Sequence, residues 1–344
     1  MPGVTKFIQS LPKAELHLHL EGTVDPATLL ELSARYDSPP LTAADVRALY
    51  SYADFAGFLR AFKLLTDRLR TPDDYELIAY RMVQQLTEQN IVHAEVYCSV
   101  GVCLWRKYDF DAIFEGMERG RARGEQEFGT SVLWIFDAVR QFGPEAGNCV
   151  LDLAIKHRDR NVVGIGIGGD EVKGPPENFR EIYSRARDAG LRLTCHAGET
   201  AGPESIWGAL NIGSERLGHA LSAWHDPELM AVLAERQVPV ELCPTSNVRT
   251  GAISALASHP LRVYFDRGLM VTLNSDDPAM FSTSLNEEYA LAQQQFDLSD
   301  EHLRELARNS FEASFLAANR KLELLARLDA HDIQEPASPR RDDK

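Results

Sequence analysis

A chain of 344 residues, 44% hydrophobic and 25% charged, has enough apolar side chains to bury a large core, which excludes disorder throughout. Its 51 acidic residues outnumber 36 basic ones, and the formal charge of −15, with no basic stripe to outweigh it locally, excludes nucleic acid as a partner and points to a small molecule. No run of about eighteen apolar residues and no basic, apolar, small-residue opening occurs, so the sequence predicts a cytoplasmic chain with no membrane span.

In chain order, β-rich runs alternate with helical segments. The runs fall at 14–20, 91–99, 131–139, 162–169, 192–196, 216–220, 238–243 and 270–274. Strands alternating with helices form a parallel sheet, and eight such units close into a barrel with helices outside, so the predicted fold class is α/β, a (β/α)8 TIM barrel. The first connection, 21–90, is too long for a loop and one helix and is expected to hold several helices that cover the mouth. Within it Phe55, Phe58, Leu59 and Phe62 share one helical face, which suits both packing on the barrel and lining a substrate lid. Asp226-Pro227 and Ser284 with Glu287 read as helix starts, Gly190 and Gly268 as helix stops. Residues 1–332, with no repeat or linker, are expected to form one domain, and 333–344 a frayed, charged tail. Five cysteines, odd in number and without zinc-finger spacing, predict reduced and mostly buried thiols.

Several of these runs end in chemistry-bearing residues, on the face where barrels of this class build their sites. His17 and His19 are two apart and share the inner face of the first strand, while Leu16, Leu18 and Leu20 point to the helical layer. Paired inward imidazoles suit a metal better than a hydrogen-bonded core role. The fifth run ends in Cys195-His196-Ala197-Gly198-Glu199, a third imidazole with a carboxylate one loop turn on. The eighth ends in Asn274-Ser275-Asp276-Asp277-Pro278, whose adjacent carboxylates face different sides, one to ligate and one to meet substrate; a helix N-cap is the competing role. Gly218-His219 offers a further ligand or a base, and the fourth run closes in Gly166-Ile167-Gly168-Gly169, where glycines let a ligand approach the backbone.

The set His17-x-His19, His196-Ala-Gly-Glu199, Gly218-His219 and Ser275-Asp276-Asp277-Pro278 resembles the motifs of the adenosine deaminase family of the amidohydrolase superfamily, in the family's order and over about residues 7 to 320. The resemblance implies one zinc ion per chain held by His17, His19, His196 and Asp276, with Glu199 as the proton shuttle at purine N1. It further implies His219 as the group that orients and deprotonates the attacking water, Asp277 as the partner of N7 and the Gly169 backbone as the partner of N3. The implied reaction is hydrolytic loss of the 6-amino group of an adenine nucleoside as ammonia. Those residue types suit it: a metal makes water nucleophilic at neutral pH, and attack at C6 requires a neutral acid at N1.

One departure bears on substrate. Adenosine-specific members carry Asp two residues after the second ligand histidine, at the ribose 5′-hydroxyl, whereas this chain has Glu21 in His-Leu-Glu-Gly, as do members acting on adenine and on 6-amino-6-deoxyfutalosine, a menaquinone precursor. Residues 69–75 and 94–102 look more like the last group, which makes aminodeoxyfutalosine the leading substrate, with adenosine and adenine as alternatives. Its 5′ extension ends in a benzoate, for which Arg60, Lys63, Arg106 and Lys107, with Phe55, Phe58, Phe62 and Trp105, are the expected partners. The P-C-x-x-C piece of the other deaminase architecture is absent, so its H-x-E, which occurs here at 19–21 and 93–95, has no cysteine pair to complete a zinc site. Another metal-dependent amidohydrolase and a non-catalytic barrel are the competing classes; the glycine-rich fourth run, without the lysine that bridges two metals in related enzymes, argues for one metal. Homo-oligomerisation is left open.

Overall fold

The computed structural model describes residues 3–52 and 55–331, without the side chains of residues 55 and 56. Eight parallel strands follow one another in chain order around one sheet. They are β1 (Lys13–His19), β2 (Ile91–Cys98), β3 (Ser131–Val139), β4 (Val162–Gly168), β5 (Arg192–Ala197), β6 (Arg216–His219), β7 (Val240–Leu242) and β8 (Val271–Leu273). Every expected run is present. The seventh is shorter than expected because Val238 N–H is taken by Leu233 O of the preceding helix and Pro239 has no N–H to give.

The seam between β8 and β1 is closed largely by side chains and by residues beyond β8. Asn274 Oδ1 accepts from the N–H groups of Leu16 (2.9 Å) and His17 (3.1 Å), and Glu15 Oε1 accepts from Ser275 N (2.9 Å). Asp276 then bridges to β1, its N–H on His17 O (3.1 Å) and its carbonyl accepting from His19 N (2.9 Å). Buried backbone groups must be paired, so this seam fixes Asp276 against the two histidines.

The first connection holds the helices Pro26–Tyr36, Ala43–Leu49, Phe55–Thr66 and Pro72–Glu88. Phe55–Thr66 lies over the mouth: Phe58 is stacked on Phe281 with ring centroids 5.1 Å apart, and Phe58, Leu59 and Phe62 line the central cavity, so packing and lid roles coincide; the Phe55 side chain is outside the described residues. Asp226 caps its helix by accepting from Glu228 N and Leu229 N, and Gly190 and Gly268 take φ of +80° and +72° just beyond helix ends, where glycine carries no Cβ penalty. Ser284 caps with Glu287 N, but the Glu287 carboxylate accepts from the Ser284 hydroxyl (3.0 Å), so only half of the expected capping box forms. All five cysteines are free, and Cys149 alone among them is exposed. No helix among the described residues is long and apolar enough to cross a membrane. The expected tail, 333–344, lies outside the described residues.

Candidate active site

At the carboxyl end of the barrel, His17, His19, His196 and Asp276 converge. Asp276 Oδ1 lies 3.6 Å from His17 Nε2 and 3.4 Å from His19 Nε2, and His196 Nε2 lies 3.3 Å from His19 Nε2. The other nitrogens are already committed. His196 Nδ1 donates to the carbonyl of Ile167 (3.1 Å), which can only accept, and His17 Nδ1 is 2.7 Å from Glu241 Oε2. Both rings are therefore held with Nε2 turned inward, the arrangement in which outer carboxylates and carbonyls prepare histidines for a metal. His17 Nε2 is buried and has no hydrogen-bond partner among the described residues, although a buried imidazole nitrogen ordinarily finds one. Three imidazoles and one carboxylate with an orphaned inward donor fit a borderline-soft divalent cation such as zinc.

The charge balance has the same shape. Burial opposes charge on all three imidazoles; at His17 the Asp276 and Glu241 carboxylates outweigh it and raise the ring to about 10, whereas burial leaves His19 at about 4 and His196 well below the usual value. Burial also opposes charge on Asp276, but the histidines, led by His17, hold it well below the ordinary carboxylate range. Burial and the adjacent Asp276 charge push Asp277 well above that range. Two neighbouring carboxyls thus divide into one ionised and one neutral.

Around this cluster stand the other expected residues. Glu199 is 3.6 Å from His219 Nε2, and the Asn247 amide Nδ2 donates to Glu199 Oε1 (3.3 Å) and sits 3.1 Å from His219 Nδ1. Burial raises Glu199 to about 8, and burial with the nearby His17 lowers His219 to about 4, so near neutral pH one is an acid and the other a base. His219 and Asp276 hold φ of +63° and +65°, a region non-glycine residues rarely enter and one that recurs at functional sites. Gly169, with φ +98°, lines the same cavity of about 240 Å³ as Glu199, His219, Asp276 and Asp277. Glu21 does not line it: its Oε1 accepts from Ser99 N (3.1 Å) and the side chain is buried below the wall. Gly22 beside it has no alternative, since any side chain there would collide with Asp277.

Of the expected benzoate partners, Phe58 and Phe62 line the cavity, but the basic ones are not brought to it. Arg60 and Lys63 are exposed on the outer face of the lid helix, and Arg106 is bound to Thr66 Oγ1 (2.9 Å) and Asp67 (2.8 Å). Trp105 reaches the cavity only indirectly, stacked at 6.3 Å on the lining residue Phe142.

Several participants escaped the sequence reading. Glu241, which holds His17, is itself paired with buried Arg216 (2.5 Å), and Ser246 Oγ donates to Asp276 Oδ2 (2.6 Å). Glu171 accepts from the N–H groups of Gly198 (2.7 Å), Glu199 (2.9 Å) and Thr200 (2.9 Å), and so fixes the loop that carries Glu199. A single acid inside an otherwise apolar strand, as at Glu241 in Val-Glu-Leu, was the available signal.

The family description for adenosine deaminase matches residues 12–331. The chain belongs to the adenosine deaminase family. It is similar to the aminodeoxyfutalosine deaminase of Streptomyces avermitilis, 40% identical with 94% of this chain and 92% of that one covered. It is also similar to an adenine deaminase of Streptomyces coelicolor, 39% identical over 94% of this chain and 96% of that one. Among solved structures, an amidohydrolase from Burkholderia ambifaria with bound Zn matches at a TM-score of 0.87 and 27% identity, covering 95% and 93% of the two chains. The protein is accordingly a hydrolytic deaminase built on the (β/α)8 barrel of the amidohydrolases.

Proposed function

We propose that this deaminase replaces the 6-amino group of an adenine nucleoside with oxygen at a single zinc site formed by His17, His19, His196 and Asp276. The observation that carries the reading is the carboxyl of Glu199 held beside that cluster, 3.6 Å from His219 Nε2, with burial raising the acid to about 8 and lowering the imidazole to about 4. Zinc held there supplies the Lewis acidity that makes water nucleophilic at neutral pH. The chain's own groups do the rest. His219 accepts the proton of the attacking water while protonated Glu199 donates to N1, so C6 becomes tetrahedral without a ring anion. The proton on His219 then passes to the amino nitrogen while Glu199 takes the remaining proton of the C6 hydroxyl, so that the C6–N bond breaks, ammonia leaves, the oxygen stays on C6 as a carbonyl and both side chains return to their starting states. Asp277, neutral because burial and Asp276 raise it, has an O–H to donate to N7, and the Gly169 backbone approaches N3 where a Cβ would collide with Gln141. Residues 1–332 act as one domain in this reading.

The leading substrate is 6-amino-6-deoxyfutalosine, which places the reaction in menaquinone biosynthesis. The Streptomyces avermitilis relative supports this choice, and free adenine is the second reading, favoured by the nearly equal identity of the Streptomyces coelicolor relative. A benzoate needs a cation, and Arg249 is a better placed one than those expected from the sequence. It precedes the lining residue Thr250, lies 5.4 Å over the Tyr52 ring and forms no ion pair among the described residues, and its buried Nε has no partner. Tyr52 in turn packs edge-on against the lid residue Phe58 at 5.9 Å. Arg249→Ala is expected to lower kcat/KM for aminodeoxyfutalosine by about 1.5 to 3 kcal/mol, the range of a hydrogen bond to a charged group, with residual adenosine turnover nearly unchanged. Steady-state kinetics on both nucleosides checks this, and an equal loss on both removes Arg249 from carboxylate recognition.

A further inference from the structure

Asp137 is the one acid in the cavity wall to which neither the family motifs nor the steps above give a task. It projects from β3 into the barrel interior, only 6% exposed, and lines the cavity together with Gly168 and Gly169. Its Oδ1 has no hydrogen-bond partner among the described residues. Buried Arg140, the cation that acts most strongly on it, gives its hydrogen bonds elsewhere, to Gly174 O at 3.1 Å and to His196 O. The barrel makes room for this carboxyl: a Cβ on Gly166 would come within 2.9 Å of its Oδ1, and one on Gly168 within 2.9 Å of its Oδ2. An unpartnered carboxyl in a low-dielectric wall is costly and persists where a bound group satisfies it.

Its position identifies that group, given the orientation proposed above, on which this inference rests. With N3 of the purine toward Gly169, the neighbouring ring position N9 lies on the same side, because both nitrogens are bonded to C4. Whatever N9 carries therefore passes beside Gly168 and Asp137 before reaching the apolar lining of Val102, Val139 and Phe142. We propose that Asp137 accepts or shares a hydrogen bond with a sugar hydroxyl of the N9 substituent, and that it is the residue by which this site selects a nucleoside over a substrate lacking that hydroxyl.

The test reads ratios. Purified wild-type protein is assayed for kcat/KM on adenosine, 2′-deoxyadenosine and 3′-deoxyadenosine, and the series is repeated with Asp137→Ala and with Asp137→Asn, which keeps the volume. Zinc content and thermal melting are followed in parallel. A buried charge-assisted hydrogen bond predicts that wild type prefers adenosine over one of the deoxynucleosides at least about tenfold, and that this preference collapses toward unity in Asp137→Ala. Preference retained in both variants overturns the inference and leaves the deaminase reading standing. Absence of turnover on all three nucleosides and on aminodeoxyfutalosine by zinc-loaded wild type overturns both.

Discussion

Glu199→Gln is expected to lower kcat by at least about a hundredfold with zinc content and fold retained, because general acid catalysis is typically worth about 10² to 10⁴ in rate and an amide has no proton to transfer to N1. The amide keeps the carboxyl's volume and can still meet Asn247, which touches Glu199 at 3.3 Å, so the loss falls on chemistry rather than on loop position. The pH profile gives a second view of the same group. Burial raises the Glu199 carboxyl from 4.5 to about 8, so the protonated form required for catalysis is present at neutral pH and is lost as pH rises through that value. A positive charge bound beside it moves this alkaline limb downward. Single-turnover rates across pH for wild type and variant check both statements; near wild-type kcat in Glu199→Gln removes the residue from its role.

Asp276→Ala is expected to release the metal and abolish turnover. Asp276 is the one carboxylate of the proposed ligand set, its Oδ1 lies within 3.6 Å of two of the imidazoles, and its other oxygen is fixed by Ser246 at 2.6 Å. Removing it leaves His17 with the Glu241 partner alone and takes away the anionic donor that balances a divalent cation. Elemental analysis should find about one zinc per chain in wild type and little in the variant, with His196→Ala behaving alike. Two metals per active wild-type chain would contradict the mononuclear site.

The barrel, and the meeting of His17, His19, His196 and Asp276 at its carboxyl end, were legible because each of these residues is announced locally. His17 and His19 sit two apart on one strand, His196 is the next-to-last residue of β5 and Asp276 lies three residues beyond β8, so period and position place them on the inner, carboxyl-end face. What the sequence could not show is reach between distant segments. Glu241 supports His17 from 224 positions away, and Glu171 holds the Gly198–Thr200 backbone by hydrogen bonds that no local pattern encodes. Arg106 illustrates the converse: a basic residue in the right loop was expected at the cavity, but its long side chain finds Thr66 and Asp67 first. Asp137 and Arg249 have the opposite character, ionisable groups beside the site that form no ion pair among the described residues, which no local pattern in the sequence encodes.

The most direct measurement is ammonia release by purified, zinc-loaded protein supplied in turn with aminodeoxyfutalosine, adenosine and adenine, with the 6-oxo product quantified alongside. The expected result is one ammonia per 6-oxo purine formed and the highest kcat/KM on aminodeoxyfutalosine. Ammonia from none of the three, or turnover of adenine in preference to both nucleosides, would contradict it.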